Sequence, residues 1–275
     1  MRPLLWLLTA AALAGDFDPR QIVRRSVSVD NDNWKRARNY TFLERSETRE
    51  LDSHGAVKSR KSRTYDVTLL EGSSYRRLIE RDDQPLPPKD EAKEEERLRK
   101  SIDERRRETE AQRRKRLAEF EKQRDRNRAL VQEVADAFDF KLLGEVSISG
   151  RPAYVLEAAP RPGYRPRDSR ARIFPKVKGK LWIDKADYYW VRIAAEVIDT
   201  ISFGWFLARL AKGGRIEVEQ TRVNDEVWLP QRMHVVASAR LGLVKKFNID
   251  QEMTFRNYRK FQTDARIIST EEVRQ

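Results

Sequence analysis

The sequence of 275 residues contains no cysteine. Disulfide bonds, cysteine-ligated metals and thiol nucleophiles are therefore excluded, and the fold has to be stabilised by packing, hydrogen bonds and ion pairs. Hydrophobic residues make up 39% of the chain, which is ample for one core. We expect a single domain over residues 15–275, preceded by a short segment that is not part of the fold.

Histidine is also scarce, since the chain has only two, His54 and His234. His54 lies in the sequence DSHG, which is typical of a turn, and His234 points away from Met233 and Val235 in an alternating stretch. Both are interpreted as surface side chains. The motifs H-E-x-x-H, G-x-S-x-G and G-x-G-x-x-G and the Walker loop are missing as well. We therefore expect no enzyme activity.

The acidic pairs do not replace these motifs. Asp82-Asp83 follows Arg81 and precedes a proline-rich break, which favours a solvated turn over an acid/base pair. Asp30 and Asp32 lack the glycine and glutamate that complete a calcium loop. The sequence therefore predicts neither a metal site nor a cofactor.

The N-terminus has the pattern of a secretory signal peptide. MRPLLWLLTAAALAG combines an early arginine, an apolar run from Leu4 to Ala14 and an A-x-A site before Gly15. This run is shorter than the roughly 20 residues that span a bilayer. We predict that residues 1–14 are removed and that the mature chain is periplasmic. No cysteine follows the cleavage site, so we expect no lipid attachment at that point.

The chain is strongly basic, with 57 lysine and arginine residues against 44 aspartate and glutamate residues and a net charge of +13. In an intracellular protein such a charge favours nucleic acid. An exported protein meets anionic lipid headgroups or cell-wall polymers instead. Because of the signal peptide we expect no nucleic-acid partner, and peripheral contact with an anionic membrane is compatible with the charge.

Most of the chain alternates between apolar and polar residues. In KGKLWIDKADYYWVRIAAEV, Val191 and Ile193 lie on one predicted face, and Trp190, Arg192 and Glu196 lie on the other. Similar stretches predict about nine to eleven antiparallel strands. A sheet of this size has to curl or close. We predict an α+β fold in which a large curved antiparallel sheet, an unclosed β-barrel, covers helices with its concave side.

Two segments are predicted to be helical. Asp18 and Pro19 are residue types that begin a helix. Residues 89–128 contain 16 basic and 12 acidic residues with no glycine or proline, which predicts one long, mostly solvated helix. We regard residues 89–137 as a helical insertion. Its amphipathic end is expected to dock on the sheet through Leu130, Val131, Val134 and Phe138.

The segment ISFGWFLARL, residues 201–210, is more apolar than alternation requires. It is predicted either to fold back onto the core as the end of a hairpin or to form a hydrophobic rim at the mouth of a cavity. In the second case Arg209 and Lys212 would contact an anionic headgroup. The candidate ligand-binding residues are Ile201, Phe203, Trp205, Phe206, Leu207, Leu210, Val191 and Ile193.

Two basic segments each allow two interpretations. The sequence RPGYRPRDSR, residues 161–170, is either a solvated connector or an anion contact through its arginine side chains. The charged helix is either a solvated face or a surface for anionic lipid or a partner protein. Its densest basic patches are residues 105–107 and 113–116.

Three stretches together suggest a family. They are GRPAYVLEAAPRPGYRP from residue 150, KGKLWIDKADYYWVRIAAEV from residue 178 and EVEQTRVNDEVWLP from residue 217. Their order resembles that of the bacterial outer-membrane lipoprotein-sorting superfamily, LolA/LolB-like proteins and RseB-type sensors, over residues 16–275. The resemblance implies an unclosed antiparallel β-barrel with helices over its opening. It also implies binding of acyl chains or lipidated peptides in a hydrophobic cavity.

Two functional hypotheses follow. The first is a periplasmic, non-catalytic binding protein that holds a lipid, an acyl chain or a lipoprotein in the concave face of the half-barrel. The second is an envelope interaction or signalling module in which the charged helix binds a partner protein. Binding of nucleic acid, a third reading, has only the net charge in its favour.

Overall fold

The computed structural model describes residues 18–203, 208–241 and 245–261. The signal peptide predicted for residues 1–14 lies outside this part. The helices are α1 (Pro19–Ala37), α2 (Pro88–Arg106), α3 (Glu110–Ala137) and the 3-10 helix Ser169–Lys176. The strands are β1 (Tyr40–Leu51), β2 (Val57–Leu70), β3 (Ser73–Arg81), β4 (Gln84–Pro85), β5 (Phe138–Ile148), β6 (Arg151–Pro160), β7 (Val177–Asp184), β8 (Trp190–Val197), β9 (Ile201–Phe203), β10 (Ala208–Leu210), β11 (Arg215–Val223), β12 (Val227–Leu241) and β13 (Lys245–Lys260).

These 13 strands form one antiparallel sheet in the order β4-β3-β2-β1-β13-β12-β11-β8-β7-β6-β5, and the hairpin β9–β10 joins it through β12. Within the described residues the end strands β4 and β5 do not pair with each other, so the sheet is not closed. The predicted α+β fold with an unclosed half-barrel is confirmed. The strand count exceeds the predicted one because β4, β9 and β10 have only two or three residues each.

Helix α1 packs on one side of the sheet. Its start is as predicted, because the Asp18 carboxylate accepts a hydrogen bond from the backbone N–H of Arg20 and Pro19 is the first helical residue. Ile22 and Val23 are buried, and they belong to a cluster that also contains residues of β6, β7 and β8, namely Leu156, Leu181, Ile183 and Trp190. We call this side of the sheet the inner face and the opposite side the outer face.

The charged segment forms two helices, so the prediction of one long helix is wrong. The second helix begins because the Thr109 side chain accepts a hydrogen bond from the backbone N–H of Gln112, and the Gln112 side chain accepts one from the backbone N–H of Thr109. This reciprocal capping box starts a helix without any glycine or proline. Helix α2 has no buried residue, as expected for a solvated helix.

The end of α3 docks through the predicted residues. Leu130, Val131 and Val134 pack against the buried clusters below the helix, and Phe138, the first residue of β5, is itself buried. The inner face of β5 to β8 is therefore covered by α1 and the last turns of α3.

A bulge in β8 changes the predicted faces of that strand. Ile183 pairs with Trp190 whereas Trp182 pairs with Arg192, so Val191 is one additional residue. Because of this bulge Trp190 and Val191 are both buried. The prediction that Trp190 shares the outer face with Arg192 is wrong, since the Trp190 indole N–H donates to Ser26 Oγ of α1 at 2.5 Å.

Candidate functional site

The inner face continues beyond the region that the helices cover. Residues directly opposite each other on antiparallel strands point to the same side of a sheet. Ile193 packs against the α1 cluster and lies opposite Val218, which lies opposite Met233. Met233 in turn lies opposite Met253 on β13. One row of apolar side chains therefore crosses four strands on the helix side.

Together with the rows beside it, this row makes an apolar surface on β8, β11, β12 and β13. Each member is half-buried, which means that neither the helices nor neighbouring side chains cover it completely. We call this surface the apolar strip, and its residues are Ile193, Ile216, Val218, Met233, Val235, Ile249, Met253 and Phe255.

The outer face of the same strands is charged and largely paired. Arg232 Nε donates to Glu252 at 2.5 Å, and Arg192 Nη2 lies 3.2 Å from Glu217. His234 Nε2 lies within hydrogen-bond distance of Asp250 Oδ1, at 2.8 Å, on the same outer face. The central strands of the sheet therefore have one apolar side and one polar side, as the sequence predicts.

Beyond β13 the inner face becomes polar and encloses a cavity of about 600 Å³. We call it the β1–β3 cavity. Met253 of the apolar strip lies opposite Ser46, which lies opposite Arg63, so the cavity and the strip are continuous. The cavity is lined by Glu44, Ser46, Thr48, Lys61, Arg63, Tyr65, Arg76, Gln251 and Met253.

The charges in the β1–β3 cavity do not balance. The buried Glu44 carboxylate pairs with Arg76, whose guanidinium also lies 4.2 Å from the centroid of the Tyr65 ring. Lys61 and Arg63 are exposed and make no ion pair with any other described residue. Sequence reasoning missed this cavity, although the alternation of Lys61, Arg63 and Tyr65 with small polar residues indicates a strand with one cationic face.

Ile201, predicted as part of a hydrophobic rim, lines a second cavity of about 490 Å³. The residue is buried, and the other lining residues come from α3, the 3-10 helix and their surroundings: Leu130, Ser169, Arg170, Arg172, Ile173, Lys176 and Ser202. Leu210 lies opposite Ile201 and opposite Ala239. The two ends of the segment, β9 and β10, therefore form a hairpin that joins the sheet.

The remaining candidate ligand-binding residues do not lie together in one site. Trp205, Phe206 and Leu207 lie outside the described residues, and Phe203 belongs to β9. Val191 packs in a buried cluster with Tyr189 and Trp228, whereas Ile193 belongs to the apolar strip.

Arg209 and Lys212 do not share the side of Ile201. Arg209 lies opposite Ser202 and Arg240, which alternate with the inner-face residues, so it points to the outer face. Lys212 is exposed in the turn between β10 and β11. On the inner face the structure instead places Lys61 and Arg63 two strands beyond β13, on the far side of β1.

The proline- and arginine-rich loop is held against α3. The buried Glu133 carboxylate accepts hydrogen bonds from the Tyr164 hydroxyl and from the backbone N–H groups of Arg167 and Asp168. These hydrogen bonds lower the pKa of Glu133 against the effect of its burial. In this part of the loop the structure favours the connector interpretation.

At the β3–β4 turn Asp83 makes ion pairs, whereas the Asp82 carboxylate accepts a hydrogen bond from the backbone N–H of Ser62. Asp82 and Asp83 have positive φ angles of 51° and 61°, as the two central residues of a tight hairpin turn require. Asp83 accepts hydrogen bonds from Arg45, Arg60 and the Ser62 hydroxyl, and these keep its pKa below the ordinary range. At neutral pH it is therefore a charged partner and not a proton donor.

Two further findings concern the described residues alone. No group of three or more His, Asp or Glu side chains among them is arranged to hold a metal ion. No helix in that part of the chain combines the length and the hydropathy needed to cross a membrane.

No protein-family model matches this sequence, and no curated protein is significantly similar to it. Solved structures of similar fold exist. A Vibrio parahaemolyticus domain described as an outer membrane lipoprotein-sorting protein has a TM-score of 0.37 at 12% identity, covering 89% of this chain and 95% of that one. A LolA superfamily protein from Nitrosomonas europaea has a TM-score of 0.34 at 10% identity, covering 88% and 93%.

The Pseudomonas aeruginosa MucA/MucB complex contains a third similar chain, with a TM-score of 0.25 at 11% identity that covers 88% of this chain and 99% of that one. These similarities concern the fold alone. What the chain binds has to be inferred from its own residues.

Proposed function

We propose that this protein is a non-catalytic binding protein that holds the acyl chain of a lipid or of a lipoprotein against the apolar strip. The observation that carries the proposal is the incomplete burial of the strip, which leaves eight large apolar side chains half-exposed on one side of the sheet. Each methylene group that leaves water contributes about 0.8 kcal/mol to binding. The signal peptide pattern supports a periplasmic location.

Val235→Trp tests this proposal, because a large side chain in the middle of the strip would occupy the space of the acyl chain. Val236→Trp is the matched control, since Val236 is the next residue of β12 and points to the outer face. We expect Val235→Trp to weaken binding of a fluorescent fatty acid by at least about ten-fold, and Val236→Trp to leave it within about two-fold.

Near-UV circular dichroism checks that both variants are folded. Native mass spectrometry of the wild-type chain after gentle purification gives an independent readout, since a retained lipid adds to the mass. Binding that is equal in both variants, or wild-type protein that takes up no acylated probe, would overturn the proposal.

Helix α2 supports a second candidate function, the binding of a partner protein of the cell envelope. The helix has no buried residue, so most of its charged side chains are available to a partner. Arg99→Glu/Lys100→Glu changes two exposed side chains of α2. Loss of a partner in a cross-linking pull-down, with unchanged uptake of fatty acid, would favour this function over lipid binding.

A further inference from the structure

The polar end of the bound molecule can be inferred from the inner face, and this step rests on the proposed function. From β8 to β13 the inner face is mostly apolar, although Gln251 on β13 places an amide there. On β1 the inner face presents the hydroxyls of Ser46 and Thr48, flanked by the carboxylates of Glu44, which pairs with Arg76, and of Glu50; on β2 it presents Lys61 and Arg63. Neighbouring strands lie about 4.8 Å apart, so the surface changes from apolar to hydroxyl to cationic over about 10 Å. An amphiphile has the same order of chemistry along its length.

Two of the three cations in the β1–β3 cavity, Lys61 and Arg63, have no carboxylate partner among the described residues. Lys61, Arg63 and Arg76 face a single carboxylate there, that of Glu44, so the lining keeps a net charge of +2 (three positive charges minus one). On the outer face of the same two strands, β1 and β2, the arginine side chains are paired, because Arg45 and Arg60 each contact both Glu47 and Asp83.

We infer that the β1–β3 cavity binds the phosphate of an anionic lipid headgroup through Lys61, Arg63 and Arg76, while the acyl chains lie on the apolar strip. Arginine side chains match the geometry of phosphate oxygens, and a hydrogen bond between charged groups is stronger than a neutral one. The hydroxyls of Ser46 and Thr48 and the amide of Gln251 are placed to contact the glycerol and ester groups between the two ends.

The same geometry disfavours a zwitterionic headgroup. A quaternary ammonium group beside the phosphate would lie next to the uncompensated cations Lys61 and Arg63, where like charges repel. A cavity of about 600 Å³ lies within the range of ordinary small-molecule sites, so a glycerol-phosphate group fits without rearrangement of the sheet.

Isothermal titration calorimetry on the purified chain tests this inference. The probes are dihexanoyl phosphatidylglycerol and dihexanoyl phosphatidylcholine below their micelle concentrations, with inorganic phosphate alone as a third ligand. The acyl chains of the two lipids are identical, so any difference in affinity comes from the headgroup. We expect the anionic lipid to bind about ten-fold more tightly than the zwitterionic one, and phosphate alone to bind weakly.

Lys61→Glu/Arg63→Glu should abolish the preference for the anionic lipid, because it removes the two cations that attract the phosphate and repel the quaternary ammonium group. The control Arg99→Glu/Arg256→Glu changes the net charge by the same amount at exposed positions on α2 and on the outer face of β13, and it should keep the preference. This control separates a local site from attraction by the whole basic protein.

The outcomes distinguish the two levels of the proposal. Equal affinity for both lipids, or the same loss in the control variant, would overturn the headgroup site while acyl-chain binding stands. Phosphate alone binding as tightly as the anionic lipid would replace the headgroup by a free-anion site. Absence of binding by either lipid would overturn the proposed function itself.

Discussion

Glu47 lies on the outer face of β1 with its carboxylate surrounded by arginine side chains. Its oxygens accept hydrogen bonds from Arg45 at 2.5 Å, Arg49 at 2.6 Å and Arg60 at 2.7 Å. The hydrogen bond from Arg60, followed by those from Arg45 and Arg49, lowers the pKa of Glu47 from 4.5 to about 2 despite its burial. The charged carboxylate therefore stabilises the junction of β1 with β2 and the β3–β4 turn.

The stability that Glu47 contributes should depend on pH in a defined direction. Because folding lowers its pKa, the contribution is complete above about pH 4.5 and is lost as the pH falls toward 2. We expect Glu47→Gln to lower the free energy of unfolding at pH 7 by about 2 kcal/mol, as for a hydrogen bond to a charged group. The difference from wild type should shrink progressively below pH 4.5.

Urea unfolding of the wild type and the variant between pH 7 and pH 3 measures this dependence. Glu50→Gln on the same strand is the control, since Glu50 is exposed. A destabilisation by Glu47→Gln that is the same at both pH values would contradict the ion-pair explanation.

At the scale of elements, a buried asparagine of α1 links this helix to the backbone of β12. Asn33 Nδ2 donates to the backbone carbonyl of Trp228 at 2.8 Å, and Asn33 Oδ1 accepts from the backbone N–H of the same residue at 2.7 Å. The pairing of β12 with β13 begins only at Arg232, so the backbone at Trp228 has no strand partner on that side. The helix side chain replaces the missing strand.

We expect Asn33→Ala to destabilise the fold by about 2–4 kcal/mol, because it leaves a buried backbone donor and a buried acceptor without partners. Thermal or urea unfolding at neutral pH measures the loss. Asp32→Ala, at the neighbouring exposed position, should stay within about 0.5 kcal/mol of wild type. A loss of the same size in both variants would indicate a general effect on the helix rather than the bond to β12.

At the scale of the whole molecule, α3 joins the two ends of the sheet. Near its start, Arg116 donates to the backbone carbonyl of Glu71 and to the Ser73 hydroxyl at the β2–β3 turn. Its last turns pack on β5 and the 3-10 helix. A helix of 28 residues is about 42 Å long. It therefore connects the β2–β3 turn with β5, which strand pairing does not join directly.

Arg116→Ala should release the first turns of α3 from the sheet while its last turns stay docked. We expect amide hydrogen exchange over residues 110–124 to become at least about ten-fold faster, with no change over residues 130–137. Arg113→Ala is the control, because Arg113 is exposed one turn earlier on the same helix. Unchanged exchange in Arg116→Ala would show that Arg116 does not hold the start of α3 on the sheet.

The order of strands and helices and the polarity of most faces could be predicted from the sequence, because alternation and helix caps are local patterns of neighbouring residues. Even the start of α3 after Thr109 had a local signal, the capping-box spacing of Thr109 and Gln112. This signal was overlooked because the charge pattern is continuous across this position. The face on which Trp190 lies had no such local signal, because it depends on a bulge that arises when β8 pairs with β7. The tertiary structure alone likewise decided which lysine and arginine side chains stay unpaired. Residues far apart in the chain become neighbours only when the sheet assembles. In the assembled sheet Arg60 pairs with Asp83, whereas Lys61 and Arg63 have no carboxylate within ion-pair distance among the described residues.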